Sequence, residues 1–383
     1  MTRRDRLMAT LRGEPVDRPP VCFYEITGYR GDQDPADPDP FNIYSHPSWK
    51  PLLELAWERT DIIPRRGVPF RNAPPDPLKE LTSVEEWTDA AGSRFRRETI
   101  RAGSRTLTTL TRRDPDVDTV WTLEHLLKDE DDFRAWIDLP QAEFGGEPET
   151  AEFLRVEREV GDRGIVLIDR SDALCRVAAL FDMATYTVIA LTEPELMHRA
   201  LEKVQRLRLP QAEAIARALP GRLWRVVGPE YAAPPYLPPH LFAEYVTRYD
   251  RPLVEAIQRP GGFARIHSHG KLREVLGHIA ATGCLGLDPI EPPHQGDVSL
   301  AYVRERHGGQ MALFGNIEAT DLENLPPEQF RGKVATALRE GTAGRGRGFV
   351  LMPSACPYGR ELPAKALANY RIMVEMAEAV TTR

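Results

Sequence analysis

The stretch Phe263-Ala264-Arg265-Ile266-His267-Ser268-His269-Gly270 has the pattern of a short buried strand that ends in two histidines. Side chains at positions i and i+2 of a strand point to the same face of the sheet. We therefore expect His267 and His269 to project together from the end of this strand.

Three later segments repeat this pattern of an apolar run that ends in polar residues. They are residues 285–291, 311–318 and 349–356, and helical stretches separate them. A repeated order of strand, polar tip and helix is typical of an α/β barrel, in which the carboxyl ends of the strands gather the functional residues at one rim.

Four earlier segments complete the count of eight strands. They are residues 21–26, 61–66, 164–172 and 223–231. The sequence therefore predicts an α/β protein with a (β/α)8 TIM-barrel fold, and we treat residues 1–383 as a single domain. The alternative is an open doubly wound sheet, but no G-x-G-x-x-G follows a predicted strand.

Residues 93–122 depart from the alternation of strand and helix. Two runs with a period of two flank Arg101-Ala102-Gly103, which is typical of an antiparallel β-hairpin. We interpret this segment as a small insertion in the barrel.

Composition limits the classes of function. The chain has 383 residues, of which 42% are hydrophobic and 28% charged, and its net charge of −7 disfavours a nucleic-acid partner. No apolar run follows the charges at the N-terminus, and no apolar stretch is long enough to cross a membrane. Four widely spaced cysteines favour a reducing cytoplasm over a disulfide framework.

The strand tips supply candidate functional residues. Asp288 and Glu291 follow the strand next to the histidines, and either is a candidate for a metal ligand, a partner of a histidine or a turn former. Glu291 is the better candidate, because its spacing past Pro289 carries it toward the rim. Glu230 and Tyr231 are candidates for acid–base roles, although surface exposure explains them equally well.

Several segments of the chain resemble the uroporphyrinogen decarboxylase superfamily, including its cobalamin-dependent methyltransferase branch. The match runs in order along nearly the whole chain. It rests on Arg12-Gly13-Glu14-Pro15-Val16-Asp17-Arg18-Pro19-Pro20-Val21, Thr60-Asp61-Ile62-Ile63-Pro64, Thr192-Glu193-Pro194-Glu195, Gly315-Asn316-Ile317-Glu318 and Pro353-Ser354-Ala355-Cys356. The resemblance implies a (β/α)8 barrel and a homodimer.

The decarboxylases of this superfamily carry an arginine-rich R-Q-A-G-R stretch that holds the carboxylates of the substrate, and an aspartate that contacts its pyrrole nitrogens. Asp61 matches that aspartate. Glu25-Ile26-Thr27-Gly28-Tyr29 replaces the arginine stretch, so a substrate with several carboxylates loses its charged partners there. Arg30, Arg65, Arg66 and Arg170 are possible replacements.

The methyltransferase branch binds zinc through H-x-C and a distant second cysteine, and uses the metal to activate a thiol. Here His267-Ser268-His269 stands at the H-x-C position, and Cys356 stands at the second cysteine. The resemblance therefore implies a His2Cys zinc site with one thiolate fewer, and a corrinoid as the cofactor of a partner protein.

The expected function is zinc-dependent methyl or one-carbon transfer that involves a thiol or a corrinoid. Decarboxylation of uroporphyrinogen or a related carboxylated molecule is the alternative, and a non-catalytic barrel that binds a small molecule or a corrinoid protein is the second. The expected catalytic residues are Asp61, Glu291 and Tyr231, and the expected metal ligands are His267, His269 and Cys356. The residues expected to bind substrate are Glu25, Tyr29, Arg65, Asp169, Arg170, Glu230 and Asn316.

Overall fold

A computed structural model describes residues 1–344 and 346–380. In chain order the strands are β1 Arg65–Arg66, β2 Phe70–Arg71, β3 Thr82–Thr88, β4 Arg94–Ala102, β5 Arg105–Arg113, β6 Val120–Glu124, β7 Glu147–Pro148, β8 Leu167–Ser171, β9 Leu223–Val227, β10 Phe263–Ser268, β11 Gly286–Pro289, β12 Ala312–Ile317 and β13 Phe349–Pro353.

The α-helices are α1 Arg3–Arg12, α2 Lys50–Arg59, α3 Glu130–Asp138, α4 Ala151–Val160, α5 Ala173–Ala178, α6 Met183–Thr192, α7 Pro194–Ala218, α8 Pro239–Phe242, α9 Arg248–Gln258, α10 Leu276–Ala281, α11 Leu300–His307, α12 Ala319–Asn324, α13 Pro327–Gly341 and α14 Ala364–Ala379. A π-helix at Ala243–Thr247 joins α8 to α9.

The central sheet is parallel and has the strand order β1-β8-β9-β10-β11-β12-β13. The gap between its first and last strands is bridged by Val21. This residue pairs in parallel with Leu351 of β13, and its carbonyl accepts a 2.8 Å hydrogen bond from the N–H of Asp61, just before β1. The predicted TIM-barrel-like α/β fold is therefore confirmed.

The predicted first strand, residues 21–26, is wrong beyond its beginning. The chain bends after Phe23, and Tyr24 adopts a positive φ of 57°. A strand needs a negative φ at every residue, so the segment contributes one bridge to the barrel and then a turn. This turn places Tyr24 and Glu25 at the mouth of the barrel.

Helix α1 closes the barrel at the amino ends of its strands. Thr2 caps the helix by accepting from the N–H of Asp5, and Gly13 ends it with a φ of 74°. Leu7 and Leu11 pack with inward side chains of the strands, among them Leu223 and Phe314, in a separate apolar cluster. This end of the barrel is therefore filled by hydrocarbon, and the opposite end remains for polar groups.

The predicted hairpin lies inside a larger insertion. Strands β4 and β5 form it, and β3 and β6 extend it to a four-stranded antiparallel sheet with the order β3-β4-β5-β6. Ile100, Ala102 and Leu107 of this sheet belong to the main hydrophobic core. The treatment of the whole chain as one domain stays a prediction.

Among residues 1–344 and 346–380, no helix is both long enough and apolar enough to cross a membrane.

Asp61 lies at the beginning of its strand segment, at the closed end of the barrel. Its carboxylate is fully buried and accepts from Arg6 Nη1 at 2.7 Å, from Arg18 Nη1 at 2.9 Å and from the N–H of Val21 at 2.9 Å. These contacts fasten α1 and the Val21 segment to the barrel. They give Asp61 an anchoring role, and its position does not support the expected catalytic one.

We predict that Asp61→Asn lowers the free energy of unfolding by about 3–5 kcal/mol, because Arg18 loses its carboxylate partner and Arg6 keeps only Asp17. Urea unfolding followed by circular dichroism measures the loss. Glu14→Gln is the control: Glu14 is exposed, its contact with Arg12 is 3.9 Å long, and the expected change is below about 1 kcal/mol. Equal small losses in both variants would contradict the anchoring role.

Candidate active site

Two histidines project from the carboxyl end of β10, as the sequence predicts. Their rings are nearly perpendicular, with centroids 4.7 Å apart. His267 Nδ1 donates to Asp288 Oδ2 at 2.8 Å, and His269 Nδ1 donates to Glu291 Oε1 at 2.9 Å. Each ring is therefore held in one orientation by its own carboxylate.

The parallel pairing of β10 with β11 produces this arrangement. His267 is in register with Asp288, so their side chains leave neighbouring strands at the same height. Glu291 follows β11 after a bend at Ile290, which has a φ of 56°, and its second oxygen accepts from the N–H of Gly270 at 2.9 Å. Glu291 thus fixes both the imidazole of His269 and the chain that follows it.

Both carboxylates are held in their ionised form, and Glu291 favours protonation of His269. Burial opposes ionisation of Asp288, but the charges of Arg265 and His267 lower its pKa to about 2. Burial likewise opposes protonation of His269, yet its hydrogen bond to Glu291 and that group's charge raise the pKa of His269. The pKa of Glu291 is lowered in turn, against its burial, by His269.

Two arginines in the middle of strands complete the polar interior, and the sequence patterns above did not identify them as site residues. Arg225 of β9 donates to both oxygens of Asp169 at 2.8 Å. Arg265 of β10 lies 3.0 Å from Asp288 in an ion pair, although the angle there is not that of a hydrogen bond. The signal was available, because Arg265 stands two residues before His267 and must share its inward face.

A cavity of about 260 Å³ lies beside this network. Arg65 reaches it from β1 and donates to Glu25 at 2.5 Å, while Tyr24 accepts from Arg225 at 2.6 Å and stacks on His267 with ring centroids 6.0 Å apart. The lining residues are Cys22, Tyr24, Glu25, Thr27, Asp32, Gln33, Tyr44, Ile63, Pro64, Arg65, Arg66, Asp118, Leu167, Arg225, Arg265 and Met352.

The arginines of the cavity are already neutralised by carboxylates. Arg65 pairs with Glu25, Arg66 with Asp32, Arg225 with Asp169 and Arg265 with Asp288. A substrate carboxylate would have to displace one of these partners to gain a charge-assisted hydrogen bond.

Glu318, which directly follows β12, is a further candidate. Its carboxyl group is buried, and neither oxygen has a hydrogen-bond partner among the described residues. Burial, with the charges of Glu291 and Asp321, raises its pKa to about 7, and His269 opposes this shift. Glu318 therefore lies near the histidine pair and can hold a proton at neutral pH.

The structure brings several predicted residues to this site. His267, His269, Glu291, Asp169, Arg65 and Glu25 belong to it through the contacts above. Glu230 contributes to the raised pKa of His269, and its Oε2 accepts from the N–H of Gly228 at 3.2 Å. Asn316 is half-buried in β12, two residues after the inward-facing Phe314.

Three other predicted residues point elsewhere. Tyr29 donates its hydroxyl hydrogen to Glu159 on the outside of the barrel. Arg170 contacts Gln211 of α7, because alternation along β8 turns it away from the side of Asp169. Tyr231 follows β9 in a short 3-10 helix, where its ring packs edge-on against Tyr186 with centroids 6.0 Å apart. These positions do not support substrate binding by Tyr29 and Arg170 or acid–base catalysis by Tyr231 in this cavity.

Cys356 does not join the histidines. Its thiol contacts the carbonyl of Phe23 at 3.4 Å, and burial raises its pKa, which favours the neutral thiol over the thiolate. Over residues 1–344 and 346–380, no three His, Cys, Asp or Glu side chains are arranged to hold a metal ion. The His2Cys set expected from the sequence is therefore not assembled in this conformation.

The histidine pair offers two of the donors that a protein metal site needs. Metal-bound histidines characteristically donate their second ring nitrogen to a carboxylate, as His267 and His269 do through Nδ1. Within the described part of the chain, neither Nε2 has a hydrogen-bond partner. Two prepared imidazoles beside the orphaned carboxyl of Glu318 are a suitable donor chemistry, although a third protein donor is not in place.

These observations define an α/β barrel with a charged site at the carboxyl ends of its strands. The uroporphyrinogen decarboxylase (URO-D) family model matches residues 177–380, more than half of the chain. The chain therefore belongs to the uroporphyrinogen decarboxylase family, as the sequence motifs predict.

The fold is similar to that of a solved structure. A methyltransferase from Methanosarcina mazei superposes with a TM-score of 0.59 at 15% identity, over 98% of this chain and 99% of that chain. At this identity the likeness shows the shared fold. A D-psicose 3-epimerase matches with a TM-score of only 0.33 at 11% identity, over 60% of this chain and 81% of its own, which is too low to support an argument. No curated protein matches the sequence.

We predict that Glu318 makes folding stability fall as the pH rises. Its pKa is about 7 in the folded protein against an ordinary 4.5, so the folded state binds the proton more tightly. The contribution of Glu318 to the free energy of unfolding is then greatest below pH 4.5 and declines as the pH rises to about 7.

Urea unfolding of the metal-free protein at pH 5 and pH 8 tests this prediction. Glu318→Gln should narrow the difference in stability between the two pH values, whereas Glu328→Gln, at an exposed carboxylate of α13, should not. An unchanged difference in Glu318→Gln would show that Glu318 titrates normally.

Proposed function

We propose that this protein is an enzyme of methyl or one-carbon transfer and that His267 and His269 hold a divalent metal ion, zinc being the ion expected from the sequence. The observation that carries the proposal is the orientation of the two imidazoles by Asp288 and Glu291. Such carboxylate–histidine pairs fix the tautomer of a ligand and increase its basicity.

A bound zinc ion would supply Lewis acidity, which lowers the pKa of a thiol or water ligand and makes it a nucleophile at neutral pH. The chain's own residues prepare the site. Asp288, kept ionised by Arg265, holds the proton of His267 on Nδ1, and Glu291 does the same for His269. Glu318 is able to take up a proton near neutral pH, since its pKa is about 7.

The donor set differs from the one that the sequence motif implies. Cys356 would have to leave the carbonyl of Phe23 to reach the histidines. We therefore propose the two histidines as the protein ligands in this conformation, with the remaining positions left to solvent, to the substrate or to a carboxylate. A corrinoid partner and a homodimer remain part of the proposal, and light scattering of the purified protein tests the latter.

Decarboxylation is the second candidate because four arginines line the cavity. Their carboxylate partners argue against it: Arg225 and Arg265 are buried in ion pairs, so a polycarboxylate would meet few free cations. A barrel that only binds a small molecule has no evident need for two oriented histidines and a carboxyl group of raised pKa. Both alternatives predict a protein that works without metal.

We predict that His267→Ala and His269→Ala each lose bound zinc and methyl-transfer activity together. Elemental analysis of purified protein, after dialysis against a weak chelator, measures the metal. His240→Ala is the matched control, since His240 is an exposed histidine of α8 and should leave the metal content unchanged.

Cys356→Ser separates the two ligand sets. Metal retained in this variant supports the histidine pair, whereas its loss indicates that the segment of Cys356 moves to complete the His2Cys set. A wild-type protein that holds no metal and releases carbon dioxide from uroporphyrinogen would overturn the proposal in favour of decarboxylation.

A further inference from the structure

Three arginines gather behind β8, on the side away from the cavity. Arg170 of β8 reaches the helix layer, where its Nη2 donates to Gln211 Oε1 of α7 at 2.5 Å. From α7, Arg208 Nη2 donates to the hydroxyl of Ser171 at 3.1 Å and to its carbonyl at 3.2 Å. Arg176 of α5 is exposed, and its charge acts on both Arg170 and Arg208.

None of the three arginines forms an ion pair with a carboxylate of the described residues. Within the described residues, no carboxylate lies within 4.0 Å of the guanidinium groups of Arg170, Arg176 or Arg208. The Nε atoms of Arg170 and Arg208 are also buried without a hydrogen-bond partner. Asp172 is nearby, but one of its oxygens caps α5 through the N–H of Cys175 at 2.6 Å, and burial raises its pKa.

The environment of Arg170 and Arg208 disfavours their charged forms and lowers the pKa of both. Burial, with the neighbouring charges of Arg208 and Arg176, lowers the pKa of Arg170 to about 9. Burial and Arg176 lower the pKa of Arg208 to about 10. Buried charges in proteins are normally paired, as Arg225 and Arg265 are in the cavity. The chain has 57 acidic and 50 basic residues, so a shortage of carboxylates does not explain this exception.

We propose that Arg170, Arg176 and Arg208, with the side chains of Ser171 and Gln211, form a binding site for a phosphate group. Several neighbouring guanidinium groups match the multiple oxygens of phosphate, and their planar forks donate in pairs. The hydroxyl of Ser171 accepts from Arg208 and keeps its own hydrogen for an anion. Both unpaired Nε–H groups would gain an acceptor.

The position of the site separates it from the proposed metal chemistry. Arg170 directly follows Asp169, whose side chain points to the cavity and pairs with Arg225. The phosphate would therefore lie on the other face of β8 from the cavity, and it is either a free anion or the phosphate of an organic ligand. The inference does not depend on methyl transfer or on metal binding.

Isothermal titration calorimetry with inorganic phosphate tests the site in the full-length protein, with sodium chloride at matched ionic strength as the background. We predict saturable binding to the wild type and binding at least about tenfold weaker in Arg208→Gln, which removes one charge-assisted partner. Arg170→Gln should have the same effect. Arg259→Gln is the control, because Arg259 is an exposed arginine at the end of α9.

Thermal unfolding at increasing phosphate gives an independent readout, since a ligand that binds the folded state raises the unfolding temperature. A parallel titration with phenyl phosphate distinguishes a site for free phosphate from a site for the phosphate group of an organic ligand. Binding as tight as that of inorganic phosphate supports a site for a phosphorylated ligand, and binding of inorganic phosphate alone supports a site for the free anion. No saturable binding to the wild type, or an equal response in Arg208→Gln and Arg259→Gln, overturns the proposal.

Discussion

The buried carboxylate of Asp288 is the constraint on which the site depends. It is fully enclosed between β10 and β12, and an ionised carboxylate in such a place needs cationic partners. Arg265 supplies a full positive charge at 3.0 Å, and His267 supplies a hydrogen bond at 2.8 Å. The guanidinium of Arg265 also lies over the ring of Phe314, with 4.6 Å to its centroid, so the arginine is held on two sides. The orientation of His267 follows from this arrangement.

The apolar end of the barrel interior stabilises the charged groups at the other end. Helix α1 closes one end with Leu7 and Leu11, and these side chains bury the lower parts of the strands. Leu167 and Met352 belong to the same apolar cluster and also line the cavity, together with Arg225 and Arg265. Electrostatic interactions strengthen where water is excluded, so the hydrophobic closure stabilises the ion pairs above it. Asp61 contributes to the site in this indirect way, by fastening α1.

The alternation of side chains along a strand explains what could be predicted from the sequence. It placed His267 and His269 together, and the eight strand positions predicted the barrel. The same rule predicts that Arg265 shares the face of His267 and that Arg170 points to the opposite face from Asp169. A single sequence does not tell which face of an isolated strand is inward, so the expectation that Arg170 binds substrate is corrected only by the register of β8 with β9.

The alternation of side chains along strands does not predict the bends and loops of the fold. The bend at Tyr24 depends on a positive φ at a residue that rarely adopts it, and propensity predicts a continuous strand there. Cys356 matches a family position in sequence, but its place in space depends on the loop after β13, which turns the thiol toward Phe23. Spacing along the chain fixed the order of the motifs and not the distances between their side chains.

The rim around the histidines combines acidic groups in a way that suits a cation. Glu230, Glu291 and Asp288 all favour a positive charge on His269, and burial together with the charge of Glu291 raises the pKa of Glu318. In the metal-free protein, a proton on His269 satisfies this field. A divalent ion would satisfy it more fully, but it needs the imidazole in its neutral form, so proton and metal compete for the same nitrogen. The carboxylates that orient the histidines would thus also make the affinity of the proposed site for metal decrease in acid.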